Sequence, residues 1–449
     1  MKTLTSIAII LLTFLSACSP EREDSTVNAD AIGRHILGPA LAIPHSPEIS
    51  DKSPEAIIAS LPLTRAKGWD IFAQVIAEQT LQISSPKGET LQVSIPRFLS
   101  WYSPEDVNRL FSLSLDQLDA DAKARGDDLS DSLWAQSETL LLNELKTMPS
   151  PVQKKWAKFF ETNSPLSREA VMGASGLTRT LFNDALIGSV AKQYASLQNC
   201  YPELQKPAFD LAFKPCFTSK LSSQSMMIKT NWLNTESGFR QYPTDEQSLS
   251  KLFENPESSW DDIKVTSEVP TNIVKATLGD KSFVLGGMHI VSKEFDDWIW
   301  VSAWWSADPN SDFGEDRPEF IQKLGAPWNQ YKICAVSSYV QNPADLDELS
   351  QKFPSLAKAY RSVLNESGAS WCSNPYIERG RANQRTNCIG CHQFAGTDVN
   401  QVEILSDGSR FPFQGTIKTR SDFPSDYIWS ATQGQISWLA TLNNLRSVH

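Results

Sequence analysis

The sequence predicts an α+β protein, with a helical N-terminal part, a strand-rich, Trp-containing middle and a helical C-terminal region. Three observations carry this. Apolar positions between Leu61 and Leu197 recur mostly near a 3.6-residue period. Between Cys200 and Val340 the apolar runs shorten and alternate, with Pro, Gly, Asn and Asp between them. After Pro343 the helical pattern returns. The chain has 449 residues, 41% hydrophobic and 21% charged, which suits two or three packed cores rather than disorder. Its formal charge is −11, with 41 Lys+Arg against 52 Asp+Glu, and it carries no cationic stripe. That balance excludes a nucleic-acid backbone as partner.

The elements follow in chain order. Lys2 precedes an apolar run from Ile7 to Leu15, then Ser16, Ala17 and Cys18. The run is too short to span a bilayer and has the layout of a secretory signal, so residues 1–17 are a leader. Residues 18–60 are polar, with Pro20, Pro39 and Pro44, and form a tether. Residues 61–199 form the helical domain, where Trp69, Ile71, Phe72, Val75 and Ile76 make one apolar face. Within it, Gln92–Phe98 alternates as a strand, and Ser103-Pro104-Glu105-Asp106 opens a helix through a cap, a first-turn Pro and acids at the positive end. Further helices are expected over 130–147, 151–162 and 179–198.

Residues 200–342 form the strand-rich domain, with strands at Met226–Trp232, Ile263–Glu268, Phe283–Lys293 and Trp298–Trp305. In the last, Trp298, Trp300, Ser302 and Trp304 share one face, and Ile299, Val301, Ala303 and Trp305 the other. A sheet packed on both faces accounts for this. A sharper reading has some of these indoles, from a total of 14 Trp, wall a large planar cofactor. Residues 343–449 are expected to be helical at Ala344–Lys352, Ser355–Val363 and Gly434–Leu445. The domain borders are soft, and the first two parts can share one core.

Cys388-Ile389-Gly390-Cys391-His392 is the sharpest motif. C-x-x-C-H has the spacing of covalent c-type haem attachment: two thiols three positions apart reach two vinyl groups, and the adjacent imidazole reaches the iron. Composition gives about 0.001 chance matches in such a chain. Zinc would need two further soft ligands at structural spacing, and a thioredoxin-like pair would need a βαβ context; neither accompanies the motif.

Over roughly Tyr376 to Phe394 the chain resembles the c-type cytochromes. The resemblance implies one covalently attached haem c, with Cys388 and Cys391 as thioether positions and His392 as proximal iron ligand. More broadly, Ile95-Pro96-Arg97-Phe98-Leu99-Ser100-Trp101-Tyr102, Ile228-Lys229-Thr230-Asn231-Trp232 and Met288-His289-Ile290-Val291-Ser292-Lys293 are similar to stretches of a group of bacterial lipoproteins that contain cytochrome c. That implies a larger fold than a small cytochrome, with residues 343–449 as its haem c-binding region. Leu15-Ser16-Ala17-Cys18 resembles a lipobox, which implies lipidation at Cys18, a membrane anchor and an extracytoplasmic, cell-envelope location.

The chain departs from small cytochromes in lacking any Met after His392. A distal ligand therefore comes from upstream or from His449. His289, in Gly286-Gly287-Met288-His289-Ile290, is the leading candidate; Met288, His35, His45 and an open sixth position are the alternatives. Bis-His ligation gives a low potential, Met raises it, and an open position admits small ligands.

Cys200, Cys216, Cys334 and Cys372 remain, an even number that suggests two disulfides in an exported chain. Loop length favours Cys200–Cys216, and exclusion then leaves Cys334–Cys372. Three functions stay open. The leading one is an electron carrier with an unidentified redox protein as partner. The second is a haem enzyme or small-ligand sensor with an open iron, using His289, Arg379 or Arg381. The third is an envelope protein in which haem is structural. The sequence holds no G-x-S-x-G, H-E-x-x-H or Walker loop, and Asp261-Asp262 and Asp296-Asp297 read as solvated turn residues.

Overall fold

Alternating runs with one interior face must pair with neighbours, and here they form antiparallel sheets. The structure, a computed structural model, describes residues 33–36, 44–84, 90–101, 177–192, 221–278, 281–338, 342, 344–364, 370–395, 404 and 426–429. In chain order the elements are β1 (Gly33–Ile36), α1 (Pro54–Ile58), α2 (Leu61–Ile76), β2 (Glu78–Ser84), β3 (Thr90–Pro96), β4 (Leu177–Phe182), α3 (Asp184–Lys192), β5 (Met226–Asn234), β6 (Phe239–Gln241), α4 (Glu246–Glu254), β7 (Val265–Ser267), β8 (Lys275–Leu278), β9 (Lys281–Ser292), β10 (Ile299–Trp305), α5 (Glu319–Lys323), β11 (Tyr331–Val336), α6 (Asp345–Lys352), α7 (Pro354–Val363) and α8 (Cys388–His392). Helices and antiparallel sheets thus mix along the chain, an α+β architecture.

The central sheet has the order β11-β10-β9-β5-β4, with β8 added to β9. A three-stranded sheet, β1-β2-β3, and the β6-β7 ribbon lie apart from it. Register fixes the faces. Val301 pairs with Ile290 and Ala335, so these three share one face; Ser302 pairs with His289 and Cys334 on the other, and His289 in turn pairs with Lys229.

Helix α2 covers the first face. Pro62 occupies its first turn, and Trp69, Ile71, Phe72, Val75 and Ile76 are all buried, as their helical spacing predicts. A Cβ on Gly68 would lie 2.8 Å from the Ala335 Cβ, so only glycine lets the helix approach this closely. Arg65 is also fully buried. Its Nε and Nη2 each donate to Asp316 at 2.6 Å. Nη1 reaches the Ile333 carbonyl and the Tyr360 hydroxyl, and Nη2 also reaches the Phe313 carbonyl. A guanidinium has five N–H donors, and this environment meets its whole demand.

The structure changes two expectations. The helix expected over 179–198 begins as a strand, because Leu177–Phe182 pairs with β5; among the described residues the helix runs over Asp184–Lys192, and 193–198 lie outside them. The β-branched Thr178 and Thr180 suit the pleated edge, and Asn183 marks the switch: its Oδ1 accepts from Leu186 N at 3.0 Å and from Met226 N at 2.9 Å. Trp298 is not the first residue of β10. It sits at φ 63°, in the left-handed region, and the strand starts at Ile299. The expected strands at Gln92–Phe98, Met226–Trp232 and Phe283–Lys293 appear with shifted ends, and Ile263–Glu268 shortens to Val265–Ser267. Helices α6 and α7 lie within a residue of their expected bounds. The expected helices at 130–147, 151–162 and Gly434–Leu445, the start at Ser103, the leader at 1–17 and about half of the tether at 18–60 lie outside the described residues; the rest of that stretch is packed, with β1, α1 and buried Ile49 and Ile57. Among the described residues, no helix is long and apolar enough to cross a membrane.

Candidate cofactor site

The C-x-x-C-H pentapeptide is itself a short helix, α8. Asn387 caps it, its Oδ1 accepting from Gly390 N at 2.5 Å, while its Nδ2 donates to the Ser370 carbonyl at 2.8 Å. One turn of helix places residues three apart on the same side, so Cys388 and Cys391 are neighbours. They form no disulfide with each other. Burial, with Glu378 nearby, pushes both thiols above their ordinary range, Cys391 to about 12. They are therefore neutral thiols at pH 7.

The segment from Ser370 to Gln393 lies over the second face of the central sheet. A disulfide between Cys334 on β11 and Cys372 pins it. Asn374 pins it again, donating from Nδ2 to Ser302 Oγ and to the Ala303 carbonyl, both at 2.9 Å. Gly287 makes room, since a Cβ there would lie 2.5 Å from Asn374 Oδ1. These contacts bring α8 against β10, where the Trp300 ring lies 4.4 Å from the His392 ring at 50°.

His392 Nδ1 lies 2.9 Å from the Tyr427 carbonyl oxygen. A carbonyl oxygen only accepts, so Nδ1 carries the hydrogen and the lone pair of the neutral ring sits on Nε2. Desolvation drives the His392 pKa down to about 4; the Tyr427 carbonyl opposes this, and charge on His289 and Lys229 adds to it. The imidazole is thus neutral at pH 7, with a defined tautomer. A buried acceptor on the far nitrogen is the arrangement that orients a metal-ligating His.

His289 lies on the same face. Its Nε2 lies 3.0 Å from Glu378 Oε1 and 3.3 Å from Oε2, and Glu378 also accepts from the Asn374 amide. Lys229, directly across the strand pair, is exposed, so the cluster reaches solvent along β5. Met288 is fully buried on the opposite face, paired with Ala303, away from His392. His45 is exposed and bonds Asp70 at 3.1 Å, on the α2 side. His35 lies in β1, where only the backbone is described. Arg379 is half-buried and Arg381 exposed.

Of the other predicted positions, Cys334 and Cys372 form the disulfide expected of them, with S–S 2.07 Å. Cys18, Cys200, Cys216 and His449 lie outside the described residues. Asp297 is more than a solvated turn residue: it is half-buried and accepts from the Tyr427 hydroxyl at 3.1 Å. Asp261 accepts from Tyr242 and Asp262 from Ser259 N.

Sequence reasoning passed over Glu378, Tyr427 and Asn374. Glu378 lies ten positions before Cys388 in an irregular segment, and a backbone carbonyl such as that of Tyr427 leaves no trace in residue type. Among the described residues, no group of three or more His, Cys, Asp or Glu side chains is placed to hold a bare metal ion. Set against known proteins, the chain matches no protein-family model, no curated protein and no solved structure.

Proposed function

We propose that the chain is a mono-haem c-type cytochrome, anchored to a membrane through Cys18, that carries electrons outside the cytoplasm to an unidentified redox protein. In this reading the C-terminal region is the cytochrome-like part of the α+β fold, and the helical and strand-rich parts position it. The observation that carries the proposal is the state of His392: neutral, with its lone pair on Nε2, one turn from two unbridged thiols.

The residues present suit the group. Cys388 and Cys391 would hold the haem as thioethers, an addition that would consume each S–H, form one S–C bond and involve no net oxidation. His392 would hold the iron through Nε2, with the Tyr427 carbonyl orienting the ring from Nδ1. Bound haem supplies a one-electron Fe(III)/Fe(II) couple. Trp300 excludes water from one side of the imidazole.

Mass spectrometry of the mature protein tests this directly. A mass increase of one haem, lost in Cys388→Ala/Cys391→Ala, is the expected result. An unmodified polypeptide overturns it.

A second reading, an open iron that binds small ligands, is favoured by one observation: His289 offers its Nε2 to Glu378 rather than to His392. A carboxylate-paired imidazole can hand over or take up a proton instead of filling a coordination position. Rapid CO binding by the reduced protein would select this reading, and a low-spin spectrum indifferent to CO would select electron transfer.

A further inference from the structure

The carbonyl that holds His392 belongs to a residue in an uncommon conformation. Asp426 and Tyr427 have φ of 47° and 65°, two consecutive non-glycine residues in the left-handed region. Such a backbone persists only where its surroundings hold it. Here the turn between β9 and β10 does so. Asp426 Oδ1 accepts from Lys293 Nζ at 2.9 Å and from Trp298 Nε1 at 3.0 Å. Lys293 Nζ also donates to the Asp296 carbonyl at 2.6 Å and lies 5.2 Å from the Trp298 ring centre. The Tyr427 hydroxyl donates to Asp297 at 3.1 Å, and its ring meets Trp300 edge-on at 6.0 Å. Trp298 is itself left-handed, at φ 63°. What sets this pair apart is its connection: Asp426 is the neighbour of Tyr427, so the bonds from Lys293 and Trp298 act as a latch that ties the carbonyl facing His392 to the β9–β10 turn.

We propose that Lys293, Trp298 and Asp426 are positioning residues for the iron ligand, setting the strength of the His392 Nδ1–Tyr427 carbonyl bond and through it the redox poise of the site. The inference rests on the haem reading above. A firm acceptor on Nδ1 gives the imidazole more anionic character, which favours the oxidised iron. Loosening the latch therefore favours the reduced form.

The test uses the full-length, haem-loaded protein and compares Asp426→Asn, Lys293→Met and Trp298→Phe with Asp312→Asn. Asp312 serves as the structural control. It is likewise left-handed, at φ 40°, and forms a more deeply buried pair with Lys332, at 2.7 Å, next to Thr244 and with no bond to Tyr427 or His392. Redox titration, electron paramagnetic resonance of the oxidised protein and thermal unfolding are measured on each. The latch variants are expected to raise the reduced fraction at a fixed ambient potential several-fold and to shift the g-values, while Asp312→Asn lowers only the unfolding temperature. Lys293→Arg, which keeps the charge and a donor, should restore most of the wild-type potential. If Asp426→Asn fails to fold, Trp298→Phe, which removes one hydrogen bond and keeps the ring, carries the same comparison. A haem-loaded wild type whose latch variants change unfolding temperature alone overturns the inference and leaves the haem reading intact. A wild type without covalent haem overturns both.

Discussion

Val301, Ala303, Ile333 and Ala335 meet helix α2 through close apolar contact, with Gly68 against the Ala335 methyl. One residue along the same strands, Trp300, Ser302, His289 and Cys334 meet an irregular segment through hydrogen bonds, an aromatic contact and a disulfide. The two faces of one sheet are thus held by different physics. Apolar packing is non-directional and roughly additive in area, so the contacts of α2 with these strands stabilise without orienting a side chain, and directional bonds enter there at Arg65. The bonds on the other face are directional, and each has a partner that must be in place. A face built that way can hold an imidazole in one tautomer.

Four experiments probe that contrast. The largest expected effect is at the edge of the α2 face, where Arg65→Met leaves the Asp316 carboxylate without its buried partner. The expected loss is about 3–5 kcal/mol, read by denaturant unfolding, with the absorption spectrum of the folded fraction unchanged. Next, replacing Cys334 and Cys372 by Ala opens a loop with a sequence separation of 38, which costs about 4 kcal/mol by loop entropy. Because that bridge pins the site face, this pair should also shift the redox potential. Stability and potential moving together on this face, and separately on the other, sharpens the contrast; a changed spectrum in Arg65→Met would break it.

The third experiment is a pH titration of the haem-free Cys388→Ser/Cys391→Ser variant. His392 has a folded pKa of about 4 against an ordinary 6.5. Between these values the unfolded chain binds the extra proton, so stability is complete above pH 6.5 and falls as the pH drops towards 4, by at most about 3 kcal/mol. Urea midpoints across this window measure it. If the proposed haem is bound, Nε2 would be closed to a proton, and the same window should be flat. The smallest effect is at Gly68→Val, where added methyls press on Ala335 and Ile333. It is expected to cost about 1–3 kcal/mol in calorimetry while leaving the spectrum untouched.

Local pattern made part of this legible. The apolar face of α2 and the strands β5, β9 and β10 follow from spacing alone, because helix and strand periods are local properties. The pentapeptide at Cys388 is legible for the same reason. The strand at Leu177–Phe182 was not, because its pairing with β5 is a long-range contact that outweighs the helical pattern around it. Strand β11 was missed inside a stretch broken by Pro327 and Asn329. Arg65 reads as an exposed helix residue until Asp316, far along the chain, is seen beside it. Among the site residues, His289 could be named but not its bond to Glu378, which requires the irregular segment to fold back over β9. Lys293 closed an expected strand and Asp297 sat in a pair that composition made look solvated, and only Asp426 and Tyr427 reveal their task.

The acceptor for His392 lies 35 residues downstream of it. Until that later segment folds back, the pentapeptide has its two thiols but not the acceptor that fixes the rotation of its imidazole. On the proposed haem reading, attachment would need only that loose form, and docking of the later segment would then set the orientation of the ring. A chain truncated just before Asp426 would then be expected to gain the mass of the proposed haem and yet differ from the full chain in its absorption spectrum.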